Sequence, residues 1–424
     1  MTKALFSIVL LLFPVCVSSM QVVSAKKRLD KKSFLHKQAT ALTRPDASAS
    51  TSSHGTLSTT HDDNITQLAA KSRRKVPGSA KYQKAWRHWS TLTLQAMRRA
   101  LAQILLSSTT TSSASASSST VVDQASYQRL AFDLGVAADR GVMPSFANPG
   151  ARAGYALDYF CRARLLADVF LLLLLMDDDE CSYIFNPRDD NDKLLDARYH
   201  ITSLGGGPGF DFVAAALVTW FQRGGGVGVS EPASGPSVGN IQTTILDYES
   251  GWQDLVAAMG TAMQMVLPQS GASCQWGGQC DITQSLYDAT NAACLAQVAQ
   301  THMWTCQYCI AENAVRLRES DFVFFRDLFE AARVDSVFVF TETTPRIWPA
   351  LVKVMEQHCP YMDVHLVNVR GWQMICRKKA SMTATTFTLG QQDLDMLSQF
   401  ERYSESNQRR IESGWIRQTA KDSQ

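Results

Sequence analysis

The chain has 424 residues, 45% of them hydrophobic, and a formal net charge of +2 at pH 7. This apolar content excludes a wholly disordered or fibrous chain, and the length suits one large domain with appendages or two domains. The small net charge hides a division, because residues 21–120 carry a formal charge of +12 and residues 121–424 one of −11. Such an asymmetry predicts a basic arm, for targeting or for binding a polyanion, attached to an acidic body.

The first 25 residues have the three-part pattern of a secretory signal peptide. Lys3 is followed by an apolar run over 4–17 and then by small residues up to Ala25. The run is shorter than the roughly 20 apolar residues of a membrane-spanning helix, and Pro14 interrupts it. We therefore predict a signal peptide over 1–25, entry into the secretory route, and no stable transmembrane span. The protein would then be secreted, lumenal or targeted to a plastid-like organelle. If there is no signal peptide, the alternative is a nucleolar or cytoplasmic protein.

Residues 26–120 are rich in Ser, Thr, Lys and Arg, and we interpret them as a basic tail. Two nearly pure Ser/Thr/Ala stretches, 47–60 and 107–120, have too few apolar residues to bury a core and are typical of linkers. Between them, apolar residues at helical spacing over 81–106 predict one basic amphipathic helix. That helix either docks on the body or binds RNA or a membrane surface.

The cysteines and acidic clusters do not predict a metal site. Ten cysteines are present at irregular spacing, and Cys306 and Cys309 form a CxxC pattern inside a strand-like run. Cys274 and Cys280 could complete a four-thiolate zinc site only if folding brought all four thiols together; a redox pair and buried thiols are the alternatives. Neither acidic cluster has the ligand spacing of a calcium-binding loop; they lie at 177–180 and 189–192.

Residues 121–198 predict a helical addition, with helices over 127–138 and 151–176. Strand and helix patterns then alternate from 199 to about 380, and 381–424 predict a polar C-terminal tail. Five strand–helix repeats followed by two strands joined at Arg370-Gly371 predict an open, mostly parallel α/β sheet with an antiparallel last strand. The predicted strands cover 199–204, 242–246, 273–280, 303–310, 336–340, 364–369 and 372–376, and the helices 211–223, 252–265, 286–300, 322–332 and 346–357.

The sequence ITSLGGGPGFD at 201–211 joins the first predicted strand to the first helix of the sheet. Gly205, Gly207 and Gly209 allow a tight turn and let a ligand approach the backbone at the helix N-terminus. A dinucleotide-binding GxGxxG pattern would need glycine at the next position, where the chain has Phe210. The spacing therefore argues against a dehydrogenase.

Acidic residues follow the second and third predicted strands. Asp247 ends the second strand, where an acid can accept hydrogen bonds from ribose hydroxyls, and Glu249 is the alternative. Asp247 lies farther from the glycine turn than the usual ~20 residues, and the Gly/Ser/Pro-rich loop 224–240 accounts for the excess. Trp252 could pack on a base or in the core. Asp281 follows the third strand, where a helix N-cap is the structural alternative.

Seven strands ending in a hairpin are the plan of the class I S-adenosylmethionine-dependent methyltransferases, which this region resembles. The chain further resembles the fungal-type large-subunit ribosomal RNA uridine-N3 methyltransferases, with their GGGPG-x-D, LD-x-x-x-GW and Y-x-x-(S/A)-E patterns. The resemblance covers about residues 125–380, and its motifs lie in 203–212, 246–252, 280–285 and 307–313. It implies a Rossmann-like fold, S-adenosyl-L-methionine as cofactor, and uridine N3 in rRNA as methyl acceptor.

The resemblance also implies roles for the candidate site residues. The cofactor-binding candidates are Gly205, Gly207, Gly209, Asp247 and Asp281, the last of which would bind the adenine amino group. Methyl transfer needs an acceptor held in line with the donor and can need a base to remove the acceptor's proton. Tyr308 and Glu312 are the catalytic candidates, Tyr308 to orient the acceptor and Glu312 to act as the base. A structural hydrogen-bonding role is the alternative for each.

One residue departs from the family pattern, because His302 stands where an Asp is expected to open the fourth-strand motif. This leaves a non-catalytic, methyltransferase-like binding protein as the alternative, beside an enzyme that acts on a protein or small molecule. The acidic body is poorly suited to RNA, so the basic tail would have to supply the phosphate contacts. We accordingly predict a methyltransferase with RNA as a partner through its tail.

Overall fold

The computed structural model describes residues 80–111, 122–140, 143–175, 198–222, 240–368, 371–380 and 388–402. The predicted signal peptide, the tail before residue 80, both acidic clusters and nearly all of the 224–240 loop lie outside these residues. Within the described ranges, no helix combines the length and the apolar content that crossing a membrane requires.

Four helices precede the sheet: α1 (Ala80–Thr111), α2 (Gln124–Arg140), α3 (Pro149–Asp158) and α4 (Cys161–Leu175). The single helix that we predicted over 151–176 is thus two helices. Tyr159 ends α3, and the amide of Arg162 bonds to the carbonyl of Tyr159 at 2.8 Å, which turns the chain within three residues. Apolar periodicity continues across this break, so the pattern alone does not reveal it.

Helix α1 docks on the body of the protein. Trp86 is buried, its indole Nε1 donates to the Asp168 carboxylate at 2.6 Å, and its ring meets Phe221 edge-on at 4.9 Å. Asp168 also pairs with Arg164 at 2.9 Å, so α4 anchors the tryptophan. The basic residues of α1 lie on its exposed side; among them is Lys84. Of the roles predicted for this helix, its apolar face therefore performs the first, docking on the body of the protein.

The sheet confirms the predicted mostly parallel α/β fold. Its order is β3-β2-β1-β4-β5-β7-β6-β8, and β7 runs antiparallel to both of its neighbours. The strands are β1 (Tyr199–Leu204), β2 (Ile241–Asp247), β3 (Ala272–Gln279), β4 (Met303–Gln307), β5 (Val337–Glu342), β6 (Met362–Asn368), β7 (Trp372–Lys378) and the short β8 (Thr388–Leu389). The helices that follow α4 are α5 (Phe210–Trp220), α6 (Trp252–Val266), α7 (Ala292–Leu295), α8 (Ala314–Glu319), α9 (Val323–Ala331), α10 (Trp348–His358) and α11 over 391–402.

Helices cover both faces of the sheet, which explains why its central strands read as continuous apolar runs. All six residues of β5 are buried. Val337 and Val339 belong to one core, shared with α1, α4, α5 and α6, whereas Phe338 and Phe340 belong to the other, shared with α9, α10 and α11. This alternation follows from the two-residue period of a strand.

Several segments differ from the sequence prediction. The fourth strand, predicted over 303–310, ends at Gln307, and α8 has no counterpart among the predicted helices. The helix expected over 286–300 shrinks to a 3₁₀ turn and α7, because the buried side chain of Asn291 bonds to backbone groups of Asp281 and Ser285 at 2.8 Å each. Residues 388–402, predicted as part of a polar tail, form β8 and α11. Phe400 of α11 is fully buried against Trp372, with ring centroids 4.8 Å apart.

Candidate functional site

A cleft with about 630 Å³ of empty space lies at the carboxyl ends of β1 to β4. The strand order reverses between β1 and β4, and such a switch point is where open α/β sheets bind ligands. The structure brings six of the seven predicted site residues to this cleft: Gly205, Gly207, Asp247, Asp281, Tyr308 and Glu312.

The glycine turn forms the floor of the cleft. Gly205 adopts φ +60°, and a Cβ added there would lie 2.5 Å from the sulfur of Cys309, so a side chain would be strained and would also collide. Gly209, the seventh predicted residue, does not line the cleft. With φ +88° it turns the backbone into α5, whose first residue is Phe210. Its requirement for glycine is therefore conformational.

Asp247 lies beside this turn at the end of β2. Its Oδ2 accepts from the amide of Gly207 at 2.9 Å, and its Oδ1 accepts from the amide of Glu249 at 3.1 Å. A carboxylate has about four acceptor positions, so each oxygen can still accept from a ligand hydroxyl. Burial raises the pKa of Asp247 to about 6 against the opposing effect of the two amide donors. The alternative acid, Glu249, instead accepts from the amide of Gly251 at 2.9 Å and does not line the cleft.

Asp211 is a supporting residue to which the sequence analysis gave no role, although it stands inside the GGGPG-x-D pattern. It is buried in the first turn of α5 and accepts hydrogen bonds from the hydroxyls of Ser203 and Thr305. Burial raises its pKa to about 6. Asp211 therefore ties α5 to β1 and β4 directly beneath the glycine turn.

Aromatic residues form a second wall, and most of them come from outside the sheet. Trp252, the first residue of α6, is buried and lines the cleft, and its ring lies 5.1 Å from that of Phe146 and 5.8 Å from that of Tyr155. Its indole N–H is buried without a hydrogen-bond partner in the described part of the chain. Trp252 thus serves the core and also contributes to the lining of the cleft. Phe146 and Tyr155 belong to the helical addition, where no sequence motif marked them.

Asp281 lies at the cleft and also holds the turn that follows β3. Its Oδ1 accepts from the amide of Thr283 at 2.9 Å and from the hydroxyl of the same residue at 2.7 Å, which holds the turn after β3. The residue also lines the cleft. The cap-like contact and a ligand contact are compatible, because a second carboxylate oxygen remains.

Tyr308 and Glu312 lie in the loop that follows β4. Tyr308 has φ 58°, an unfavourable conformation for a residue other than glycine, and its amide bonds to the carbonyl of Thr341 at 2.7 Å. Backbone strain of this kind clusters at functional sites. Glu312 is half-buried at the cleft; burial raises its pKa to about 7, the positive charge of Arg162 opposes the rise, and the Asp247 carboxylate adds to it.

Glu342, which the sequence analysis did not single out, supports this loop from the end of β5. It is buried, and its Oε1 accepts from the amide of Ala311 at 2.9 Å. Burial raises the pKa of Glu342 to about 8. Its signal in the sequence is a lone acid at the end of an apolar strand, a weak pattern.

His302 lies at the opposite end of β4 from the cleft. Its Nδ1 accepts from the amide of His200 at 3.1 Å, and its ring stacks on Tyr199 with centroids 4.9 Å apart. The departure from the family pattern therefore falls at the amino end of the strand, away from Tyr308 and Glu312.

The cysteines form pairs around the site. The thiols of Cys306 and Cys309 are neighbours, as are those of Cys280 and Cys294, and the neighbouring thiol together with burial raises the pKa of both Cys280 and Cys306. In the ranges that the structure describes, no three His, Cys, Asp or Glu side chains come together as a metal ion would require.

No protein-family model matches the chain, and no curated protein sequence matches it. Among solved structures, it is similar to a SAM-dependent methyltransferase from Methanosarcina mazei, at 10% identity and a TM-score of 0.30 over 44% of this chain and 95% of that one. It is also similar to an O-methyltransferase family protein from Burkholderia thailandensis, at 14% identity and a TM-score of 0.32 over 60% and 70%. The CMeT domain of the citrinin polyketide synthase gives 12% identity and a TM-score of 0.35 over 60% and 65%. Similarities this low carry no argument by themselves, and the assignment of a Rossmann-like fold rests on the strand order.

Proposed function

We propose that the chain transfers the methyl group of S-adenosylmethionine to RNA, with uridine N3 in rRNA as the acceptor that the sequence resemblance implies. One observation carries the proposal: the glycine turn, Asp247, Tyr308 and Glu312 converge on one cleft at the switch point of the sheet.

The residues present fit S-adenosylmethionine. Asp247 has acceptor positions left for ribose hydroxyls, and Trp252 lines the cleft. Gly205 and Gly207 line the cleft with backbone rather than with side chains. Asp281 would accept from the adenine amino group.

The acceptor side of the cleft has a base with a suitable pKa. When bound, S-adenosylmethionine supplies a methyl group on a positively charged sulfur. Glu312, with a pKa of about 7, is ionised in a large fraction of molecules near neutral pH and could take the proton that the acceptor loses. Tyr308, fixed by its backbone bond to Thr341, would orient the acceptor.

RNA as the acceptor has separate support from α1. This helix contains no Asp or Glu, and Lys81, Lys84 and Arg99 are exposed on it. Their side chains could contact phosphates although the body as a whole is acidic. The non-catalytic alternative rested on His302, and the position of that residue at the far end of β4 from the cleft favours the catalytic proposal.

Calorimetry with S-adenosylhomocysteine tests the cofactor site. We expect the wild type to bind and Asp247→Asn to bind about 10- to 100-fold more weakly, since a charge-assisted hydrogen bond is lost. Asp254→Asn, an exposed acid in the first turn of α6, is the matched control and should bind like the wild type. An inert wild type, or equal affinities for Asp247→Asn and the control, would contradict the cofactor assignment.

Transfer of a tritiated methyl group into fractionated cell extract tests the acceptor. We expect label in RNA that ribonuclease removes. Label in protein or in small molecules would overturn RNA as the acceptor and leave methyl transfer standing. Binding of S-adenosylhomocysteine with no label in any fraction would establish the non-catalytic alternative.

A further inference from the structure

Arg162, in the first turn of α4, contacts two residues that line the cleft, Tyr155 and Tyr308. Its guanidinium carbon is 4.1 Å from the ring centroid of Tyr308 and 4.5 Å from that of Tyr159. Its Nη1 donates to the hydroxyl of Tyr155. The guanidinium therefore lies beside the cleft, next to the rings of Tyr155 and Tyr308, and its charge acts on Glu312.

The hydrogen-bonding capacity of Arg162 is largely unused. A guanidinium has five N–H donors, and in the described part of the chain only the Tyr155 hydroxyl accepts from it. No described carboxylate forms an ion pair with it. Arg164, two residues further along α4, differs: it pairs with Asp168 at 2.9 Å and also bonds to the carbonyl of Arg87.

Stacked rings restrict the orientation of a guanidinium and leave its in-plane N–H groups free. A planar fork of donors matches the two oxygens of a carboxylate or a phosphate. Arg162 is therefore oriented in advance for an oxyanion, and the protein supplies none in the residues described. The acid that acts on its charge at longer range, Glu312, is the candidate base of the cleft.

We infer that Arg162 is an oxyanion-binding residue beside the cleft. The inference rests on the proposed function, which offers two sources of the anion: the carboxylate of the amino-acid end of S-adenosylmethionine, and a phosphate of the acceptor RNA. It also gives the helical addition a role, because α3 and α4 supply the arginine and two of the three rings.

Two nucleosides distinguish the sources. S-adenosylhomocysteine carries the carboxylate, and 5′-methylthioadenosine is the same nucleoside without the amino-acid end. If Arg162 binds the carboxylate, Arg162→Gln should raise the Kd for S-adenosylhomocysteine about 10- to 100-fold and leave that for methylthioadenosine unchanged. Arg162→Lys should give an intermediate value, because it keeps the charge and loses the fork.

If Arg162 binds a phosphate of RNA, both nucleosides should bind Arg162→Gln like the wild type. The KM of the transfer reaction for total RNA should then rise about tenfold, and the slope of log affinity against log salt should shrink by about 0.7. Arg129→Gln removes an arginine whose side chain is 79% exposed and is the control for loss of charge alone.

Wild-type affinity for S-adenosylhomocysteine together with wild-type KM for RNA in Arg162→Gln would overturn the inference. So would equal weakening of both nucleosides, which would indicate a general distortion. A wild type that binds neither nucleoside defeats the proposed cofactor; in that case, a selective loss of RNA affinity in Arg162→Gln would still support the oxyanion site, and its absence would refute it.

Discussion

The two ends of β4 hold polar side chains in comparable surroundings and use them differently. At the amino end, His302 bonds to the backbone of His200 and stacks on Tyr199. At the carboxyl end, Tyr308 and Glu312 line the cleft. The ends of β1 to β4 that bear the cleft are their carboxyl ends, as in other open α/β sheets. Position along the strand therefore separates a structural polar group from a candidate functional one.

Burial disfavours the charged form of the side chain at both ends of β4, and it therefore shifts the pKa values of a base and an acid in opposite directions. At His302, burial lowers the pKa to about 4, assisted by the positive charge of Arg333, so the ring is neutral and Nδ1 can accept a hydrogen bond. At Glu312, burial raises the pKa to about 7. The first shift keeps a structural contact intact, and the second brings an acid close to the pH at which a general base works best.

The largest effect should come from the carboxyl end. Glu312→Gln should slow methyl transfer by about 10²- to 10⁴-fold, the range for loss of a general base, while calorimetry shows unchanged affinity for S-adenosylhomocysteine. In the wild type, the rate should rise with pH up to about 7 and level off above it, because the base acts in its deprotonated form. Glu312→Gln should lack this rise of the rate with pH.

Glu319→Gln, at the exposed end of α8, is the matched control and should keep the wild-type profile. If Glu312→Gln transfers methyl groups at the wild-type rate, Glu312 has a structural role, as His302 has. The two ends of β4 would then not differ in function.

An intermediate effect should follow from Asp247, which belongs to the same edge of the sheet. Ribose hydroxyls donate to its ionised carboxylate, and its pKa is about 6, so protonation at lower pH competes with the ligand. Below that pKa, the Kd for S-adenosylhomocysteine should rise about tenfold per pH unit, measured by calorimetry. Asp247→Asn should remove this dependence. If the dependence survives in the variant, another group, such as Asp211, is responsible.

The smallest effect on methyl transfer should come from the amino end. His302→Gln should change the transfer rate less than about twofold, as expected for a substitution away from the site. We expect the substitution to change the free energy of unfolding instead. Because the folded-state pKa of His302 is depressed to about 4, the unfolded chain binds more protons between about pH 6.5 and 4, and the free energy of unfolding falls as the pH is lowered through that window.

Urea unfolding at pH 7 and pH 4.5 would measure this, and His302→Gln should show a smaller loss of stability between the two. A large loss of methyl transfer in His302→Gln would instead restore the significance of the departure from the family pattern, and with it the non-catalytic alternative.

Local patterns in the sequence determined the strands of the sheet, the glycine turn and the acids that end β2 and β3. These features depend on short-range physics: apolar runs define buried strands, and a left-handed backbone at Gly205 needs glycine. Since parallel strands align their carboxyl ends, the predicted topology also implied that Asp247, Tyr308 and Glu312 would meet. The roles assigned to them stay predictions until they are tested.

Only the tertiary structure decided which remote residues complete the cleft. Phe146 precedes α3, Tyr155 lies in α3 and Arg162 lies in α4. The sequences of these segments carry no motif, and tertiary packing brings them to the cleft or to the residues that line it. The same holds for Glu342 at the end of β5, which accepts a hydrogen bond from the amide of Ala311 in the loop that follows β4. Such contacts join residues far apart in the chain, and no local pattern encodes them. The sequence by itself therefore determined the edge of the sheet at which a ligand would bind, whereas long-range packing decided what surrounds it, because burial and unpaired donors exist only once distant segments are in contact.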